Sequence, residues 1–187
     1  MKFREACAAA VANLGEESFA AKIKEEDPSM VKYLPLLQKI NKAGFLTTNS
    51  QAGHRSKGKQ YQTGKPYELI ERAYLEGFML EADAAKFIKA MGIETDKNAI
   101  FRPVGASADL PELDIPLTLV KRDSGISVET HSTVGLPQEW SDSFKKMVHL
   151  NKSEKVVFIF CWDTHWGRKA AGKKGLFTQV IECLADH

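Results

Sequence analysis

Three short polar clusters each follow an apolar run: TTNSQ at 47–51, THST at 130–133 and WDTHW at 162–166. They hold the residue types that could do chemistry. Ser50 and Gln51 offer a hydroxyl and an amide, His131 an imidazole, and Asp163 a carboxylate. A positioned imidazole or carboxylate can serve as a general base. Ligands in α/β folds gather where strand ends meet loops, so convergence of these ends would make one site. The competing reading is that each cluster is the polar exit that any buried strand needs.

Ser50, His131 and Asp163 also supply the types of a Ser-His-Asp triad. No G-x-S-x-G turn surrounds Ser50, and triads are defined by geometry rather than by type. Cys161 with His165 is a second nucleophile–base pair by type. A cysteine ending an apolar run, however, is ordinarily an inert small hydrophobe. GRKAAGKKG at 167–175 matches G-x-x-x-x-G-K, the phosphate-loop pattern. Lys174 stands where that pattern needs Ser or Thr to hold magnesium, and only 13 residues follow it. A solvated basic loop is the better reading. None of the five histidines pairs at i, i+4 with a carboxylate on a predicted helix, so no metal site and no cofactor is expected.

Charge is the firmer signal. The stretch 52–65 carries Arg55, Lys57, Lys59 and Lys65 with no acid. The stretch 164–175 carries Arg168, Lys169, Lys173 and Lys174, again with no acid, in a chain whose net charge is +2. Together they suit phosphate, nucleotide or nucleic acid, or they are merely soluble loops. The low net charge argues against a surface built wholly for nucleic acid.

The elements that must position these residues are readable from pattern. Residues 3–14 and 16–24 read as helices, and Pro35 to Ala43 as another that Gly44 ends. FLTTN reads as a strand, His54 to Pro66 as an exposed loop, and Arg72 to Leu80 as a strand. Glu81 to Met91 reads as a helix stopped by Gly92. AIFRPV reads as a short strand and 109–114 as an acidic loop. Alternating runs flank Asp123-Ser124-Gly125, which is hairpin chemistry. Pro137 to His149 reads as a helix, KVVFIFCW as a central strand, and Leu176 to Ala185 as the closing helix. The expectation is one α/β domain over 1–187, α+β-like, with N-terminal helices over about 3–43. Its mixed sheet would have about five or six strands with helices packed on it.

With 187 residues the chain can bury a sizeable core. Its three cysteines fit no metal spacing and suggest a reducing compartment. Lys2 and Arg4 before an alanine-rich run echo a signal peptide. Glu5 lies in the would-be positive region, though, and a cytoplasmic amphipathic helix is expected instead. No apolar run is long enough to span a bilayer.

INKAGFLTTNSQAG, then ERAYLEGF, then DTHWGR resembles a family of small bacterial proteins classed as a domain of unknown function. The likeness covers about Leu36 to Phe78 and returns at Asp163 to Arg168. It implies that Thr47, Ser50, Gln51, Gly53, Arg72, Gly77, Asp163, Trp166, Gly167 and Arg168 belong to one site or one structural knot, and it brings no established reaction. The hairpin at 117–131 and the basic stretch at 54–65 lie outside it.

The residues and the resemblance together suggest a cytosolic binding protein for an anionic ligand, a nucleotide or a phosphorylated small molecule. Its expected ligand-binding residues are Thr47, Ser50, Gln51, Arg72, Trp166 and Arg168. Arg72 and Arg168 offer planar forks, and Trp162 and Trp166 offer stacking faces. One alternative is a small hydrolase or transferase using Asp163 or His131. Another is a nucleic-acid or protein interaction module using the basic loops. A structural role for Asp163, pairing with Arg72 or Arg168 to fix the loop, competes with catalysis. Oligomeric state is open.

Overall fold

A computed structural model describes residues 1–94, 97–103, 114–132, 148–149 and 154–185. The alanine-rich start forms α1 (Phe3–Leu14), and α2 (Glu17–Glu26) follows it. A single 3-10 turn (Val31–Tyr33) leads into α3 (Leu34–Lys42). Pro35 sits in the first turn of α3, where a missing N–H leaves no partner wanting. Gly44 then ends the helix at φ 102°, a left-handed conformation that side chains disfavour. Buried Asn41 welds this end to the next strand. Its Nδ2 donates to the Leu37 carbonyl at 2.8 Å and to Thr47 Oγ1 at 2.7 Å, and its Oδ1 accepts the Thr47 amide at 3.0 Å.

The strands are β1 (Leu46–Gln51), β2 (Arg55–Lys59), β3 (Pro66–Glu71), β4 (Tyr74–Leu80), β5 (Lys97–Pro103), β6 (Asp114–Arg122), β7 (Gly125–Ser132) and β8 (Val156–Asp163). α4 (Glu81–Glu94) follows β4, and α5 (Leu176–Ala185) closes the chain. The class is α/β, as its pattern suggests. Among the described residues, eight strands form two four-stranded sheets, ordered β1-β4-β8-β5 and β2-β3-β6-β7, with every described ladder antiparallel.

The extra strands come from the basic stretch. His54 to Pro66 is no loop. Arg55–Lys59 pairs with Pro66–Glu71, and the reversal is confined to residues 60–65, where the Gln60 amide meets the Lys65 carbonyl at 2.9 Å. Residues 46–80 are therefore one long hairpin, bent at 52–54 and 72–73. Its outer half, β2–β3, belongs to the second sheet, and its inner half, β1–β4, to the first. α4 also runs past Gly92 to Glu94, since glycine only weakens a helix by about 1 kcal/mol. The expected acidic loop at 109–114 falls, except for Asp114, outside the described residues. So does the helix expected at 137–149, except for Val148 and His149.

β8 is central, between β4 and β5. Its alternate residues serve two cores. Val157, Ile159 and Cys161 join Leu75 and Met79 beneath α3, α4 and α5. Val156, Phe158 and Phe160 join Tyr74 and Phe78 against Phe3 and Cys7 of α1 and Ile115 and Leu117 of β6.

Gly77 and Gly92 separate two kinds of glycine. A Cβ on Gly77 would fall on the Leu46 carbonyl oxygen, a backbone atom of the paired strand that cannot move aside, whereas one on Gly92 would meet nothing. We expect Gly77→Ala to lower unfolding stability by about 3 kcal/mol or more. Gly92→Ala should raise it by about 0.5–1 kcal/mol. Urea denaturation of both variants reads the two signs directly.

Candidate functional site

The hairpin bend is tied by main-chain hydrogen bonds to the end of β8 and the loop after it. The Asp163 amide donates to the Ala73 carbonyl at 2.9 Å and the Gly167 amide to the Glu71 carbonyl at 3.0 Å. Gly53 lies so close to the Arg168 carbonyl and the Ala73 amide that a side chain there would overlap backbone. The loop after β8 is thus laid against the bend by main-chain contacts that need glycine.

Asp163 is the electrostatic centre of this junction. Its side chain is fully buried and meets the equally buried Lys97 at 3.0 Å, the two residues being register partners across β5 and β8. Its Oδ1 accepts the His165 amide at 2.8 Å, and Arg168 Nε stands 3.8 Å from its Oδ2. Arg168 in turn donates from Nη1 to the Lys174 carbonyl at 3.2 Å, pinning the far end of its own loop. A carboxylate with no access to water and a lysine partner behaves as a structural anchor for the loop. The sequence signals the aspartate. It gives no sign of the lysine, which begins a distant strand.

Arg72 is likewise engaged. Its guanidinium lies 4.0 Å above the Trp166 ring, and Nη1 donates to the Pro116 carbonyl at 3.1 Å. Burial lowers its pKa and the Asp163 charge partly restores it. Trp162 packs at 5.6 Å on Phe160, which stacks at 5.5 Å on Tyr74. Both tryptophans thus already meet protein groups.

The remaining candidates disperse. Gln51 shares a cross-strand row with Tyr74 and Trp162, and Asp163 is one residue further along β8. Alternation therefore sends Gln51 and Asp163 to opposite faces of the first sheet, at the same end of it. Thr47 and Ser50 line a groove beneath α2. His131 lies on β7 opposite Ile115 in backbone register, and its side chain is outside the described residues. Cys161 is fully buried, which pushes its thiol far above neutral pH and keeps it protonated. In the G-x-x-x-x-G-K stretch, the Phe177 amide bonds the Ala170 carbonyl at 2.9 Å and the Gly175 amide bonds the Gly172 carbonyl at 2.8 Å. These two amides, at and just beyond the end of the stretch, are thus used within the protein.

One pair was missed in the sequence. His54 Nδ1 and Glu71 Oε2 meet at 2.6 Å across the bend. Burial pushes the Glu71 carboxyl above its usual range. His54 opposes this, Asp27 and Glu129 add to it, and Gln51 lowers it slightly.

The cation-rich surface is the second sheet. On β2, Arg55, Lys57 and Lys59 are all exposed and alternate with half-buried Ser56 and Gly58. Register places them in rows with Ile70, Glu68 and Pro66 of β3, and Lys121 continues the Glu68 row on β6. Glu68 stands 3.7 Å from Arg55 and 3.8 Å from Lys121. Among the described residues neither Lys57 nor Lys59 meets a carboxylate within ion-pair distance. Gly167 packs beside Arg55 and Ile70, so the loop with Arg168 borders this face. Ile126 and Val128 of β7, 64% and 50% exposed, lie in the same rows.

Two tests follow. Lys97→Met alone should cost about 3–5 kcal/mol, because it strands a buried carboxylate, while Lys97→Met with Asp163→Leu should recover most of the loss. Chemical denaturation of the single and double variants measures this. For Glu71, a raised folded pKa means that the native state holds the proton more tightly than the unfolded chain. Its stabilising contribution is therefore present below the ordinary value of 4.5 and is lost as pH rises through the higher folded value. Glu71→Gln should flatten that fall in denaturant midpoint with pH, and an unchanged pH profile would refute the assignment.

Among the described residues no helix is long and apolar enough to cross a membrane. No protein-family model matches the chain, and no curated protein matches it at a significant level, so the site's own residues are the guide to what it does.

Proposed function

We propose that the protein binds a nucleic-acid backbone on the open basic face of its second sheet. The observation that carries this reading is the alternation of Arg55, Lys57 and Lys59, which puts three exposed cations on one side of a single strand. Alternate residues of a strand are about 6.6 Å apart, so the cations form an evenly spaced row. Lys121 extends it across the sheet, with Glu68 between Lys57 and Lys121. At the hairpin tip Tyr61 is fully exposed, a ring on which an unpaired base can stack. A single-stranded ligand lying along β2 would meet the cations and then the ring.

The alternative of a nucleotide enclosed in a cleft needs Ser50, Gln51, Arg72, Asp163 and Arg168 around one cavity. Register and burial distribute them among a groove, a stacked arginine and a sealed ion pair. A flat charged face suits a long ligand better than an enclosed one, since affinity there accrues phosphate by phosphate. We place the protein in the cytoplasm, because Cys7, Cys161 and Cys183 are all buried and unbridged.

Binding of a fluorescent single-stranded oligonucleotide should weaken with salt, log K against log salt having a slope of about −3 for four phosphate contacts. Lys57→Ala and Lys59→Ala should each reduce that slope by about 1. Both side chains are exposed, so stability should shift by less than about 0.5 kcal/mol. Tyr61→Ala should weaken single-strand binding by about 1–3 kcal/mol and leave the salt slope unchanged. Affinity that is insensitive to Lys57 and Lys59 would remove the proposal.

A further inference from the structure

α2 is amphipathic, yet none of its residues is buried. Beneath its apolar side runs a groove of about 370 Å³, walled by Phe19, Ile23, Met30, Leu34 and Leu37 and floored by residues 47–50 of β1. A concave space of that size, with apolar walls and a few hydrogen-bonding groups, is the usual form of a small-molecule site.

Its floor is an outer strand of the first sheet, so an added peptide strand is the obvious rival occupant. That edge is already closed. The Thr47 amide donates to Asn41 Oδ1 at 3.0 Å, the Ser50 amide to Asn49 Oδ1 at 2.8 Å, and the Ala52 amide to Met30 Sδ at 3.2 Å. An incoming strand would find these donors taken. Residues 47–50 line the floor, with Thr47 and Ser50 on the helix-covered face, in register with Gly77 and Leu75.

The groove's charge selects among small molecules. Lys22, Glu26 and Asp27 line its mouth, and Lys22 meets Glu26 at 3.9 Å. Asp27 Oδ1 accepts the Ser29 amide at 2.9 Å, a bond that leaves the charge of Asp27 in place. The Asp27 charge is also felt at Glu71, the partner of His54. Carboxylates outnumber cations at this end, the reverse of the balance on β2.

We propose that this groove binds an amphipathic amine, its apolar body lying between α2 and α3 and its cationic head beside Asp27, with the β1 hydroxyls taking the remaining hydrogen bonds. The site is separate from the basic face and does not depend on what that face binds.

The test is calorimetric titration of the full chain with a linear alkylamine of six to eight carbons, and with the alcohol and carboxylate of equal length. Saturable 1:1 binding is expected, with the amine favoured over the carboxylate by roughly tenfold, a difference of about 1.4 kcal/mol. Asp27→Asn should reduce that preference while keeping the alcohol's affinity. Ser50→Phe, which fills the groove from a strand position where an aromatic ring is welcome, should abolish binding of all three probes. Its melting temperature and its oligonucleotide affinity should stay those of the parent chain. Binding that survives Ser50→Phe, equal affinity for carboxylate and amine, or no saturable binding would each overturn the proposal. So would a dimer in light scattering that Ser50→Phe returns to monomer, which would make the groove a contact between copies.

Discussion

A lysine and an aspartate, both shut off from water, meet at 3.0 Å where β5 begins and β8 ends. Desolvating two such charges costs several kcal/mol per ion, and their attraction repays this only with good geometry and further hydrogen bonds. The rest of the junction supplies one hydrogen bond and a second positive charge. The backbone amide of His165 bonds one carboxylate oxygen, and Arg168 stands by the other. Satisfying that carboxylate obliges the chain to turn sharply after β8, and the turn delivers Trp166 under Arg72 and Gly167 onto Arg55. The loop's course is thus dictated from beneath, by a charge that needs partners.

The same junction explains how one hairpin serves two sheets. Strands 46–80 would run straight if paired throughout. At 52–54 and 72–73 the ladder is interrupted, with small residues at Ala52, Gly53 and Ala73, and the β8 loop packs against the bend. Ala52 and Ala73 face the helix-covered core, and Gly53 admits the Arg168 carbonyl. Beyond the bend, β2 and β3 turn away from the helices. Their exposed face can then carry charge that no core position would tolerate. The bend therefore makes the basic surface possible without contributing a cation to it.

Much of this was legible in the sequence, and the failures have physical causes. Gly44, KVVFIFCW and the Asp123–Gly125 turn announced themselves, because a left-handed stop, a fully buried strand and a tight reversal each demand particular residues. β2 did not. RSKGK has no apolar face, so its alternation of charged with small residues carried no hydrophobic signal and passed for a loop. With β2 unseen, PYELIE lost its partner and β3 went with it. The Asp163 motif was visible, but its meaning was not. The lysine that makes it an ion pair lies on β5, and only strand order brings the two together. Gln51 and Asp163 looked like one site because both end apolar strands. A one-residue difference in register sends them to opposite faces.

Charged residues on an outer strand have a simpler explanation than ligand binding, since they also prevent edge-to-edge association. Two of the four outer strands among the described residues, β1 and β2, allow the explanations to be weighed. β1 is guarded by hydrogen bonds, its Thr47 and Ser50 amides being taken by Asn41 and Asn49 and the amide of Ala52 just beyond it by Met30, without a charge on the strand. β2 is guarded by cations. Repulsion between edges needs charge of either sign, on either face, and one or two lysines suffice. β2 instead places Arg55, Lys57 and Lys59 in one row on one face, with no acid on the strand. The small residues Ser56 and Gly58 fill the other face. Guarding an edge does not require that uniformity of sign and side, whereas gripping a repeating row of phosphates does. The balance therefore favours the face as a binding surface that also keeps its edge from pairing.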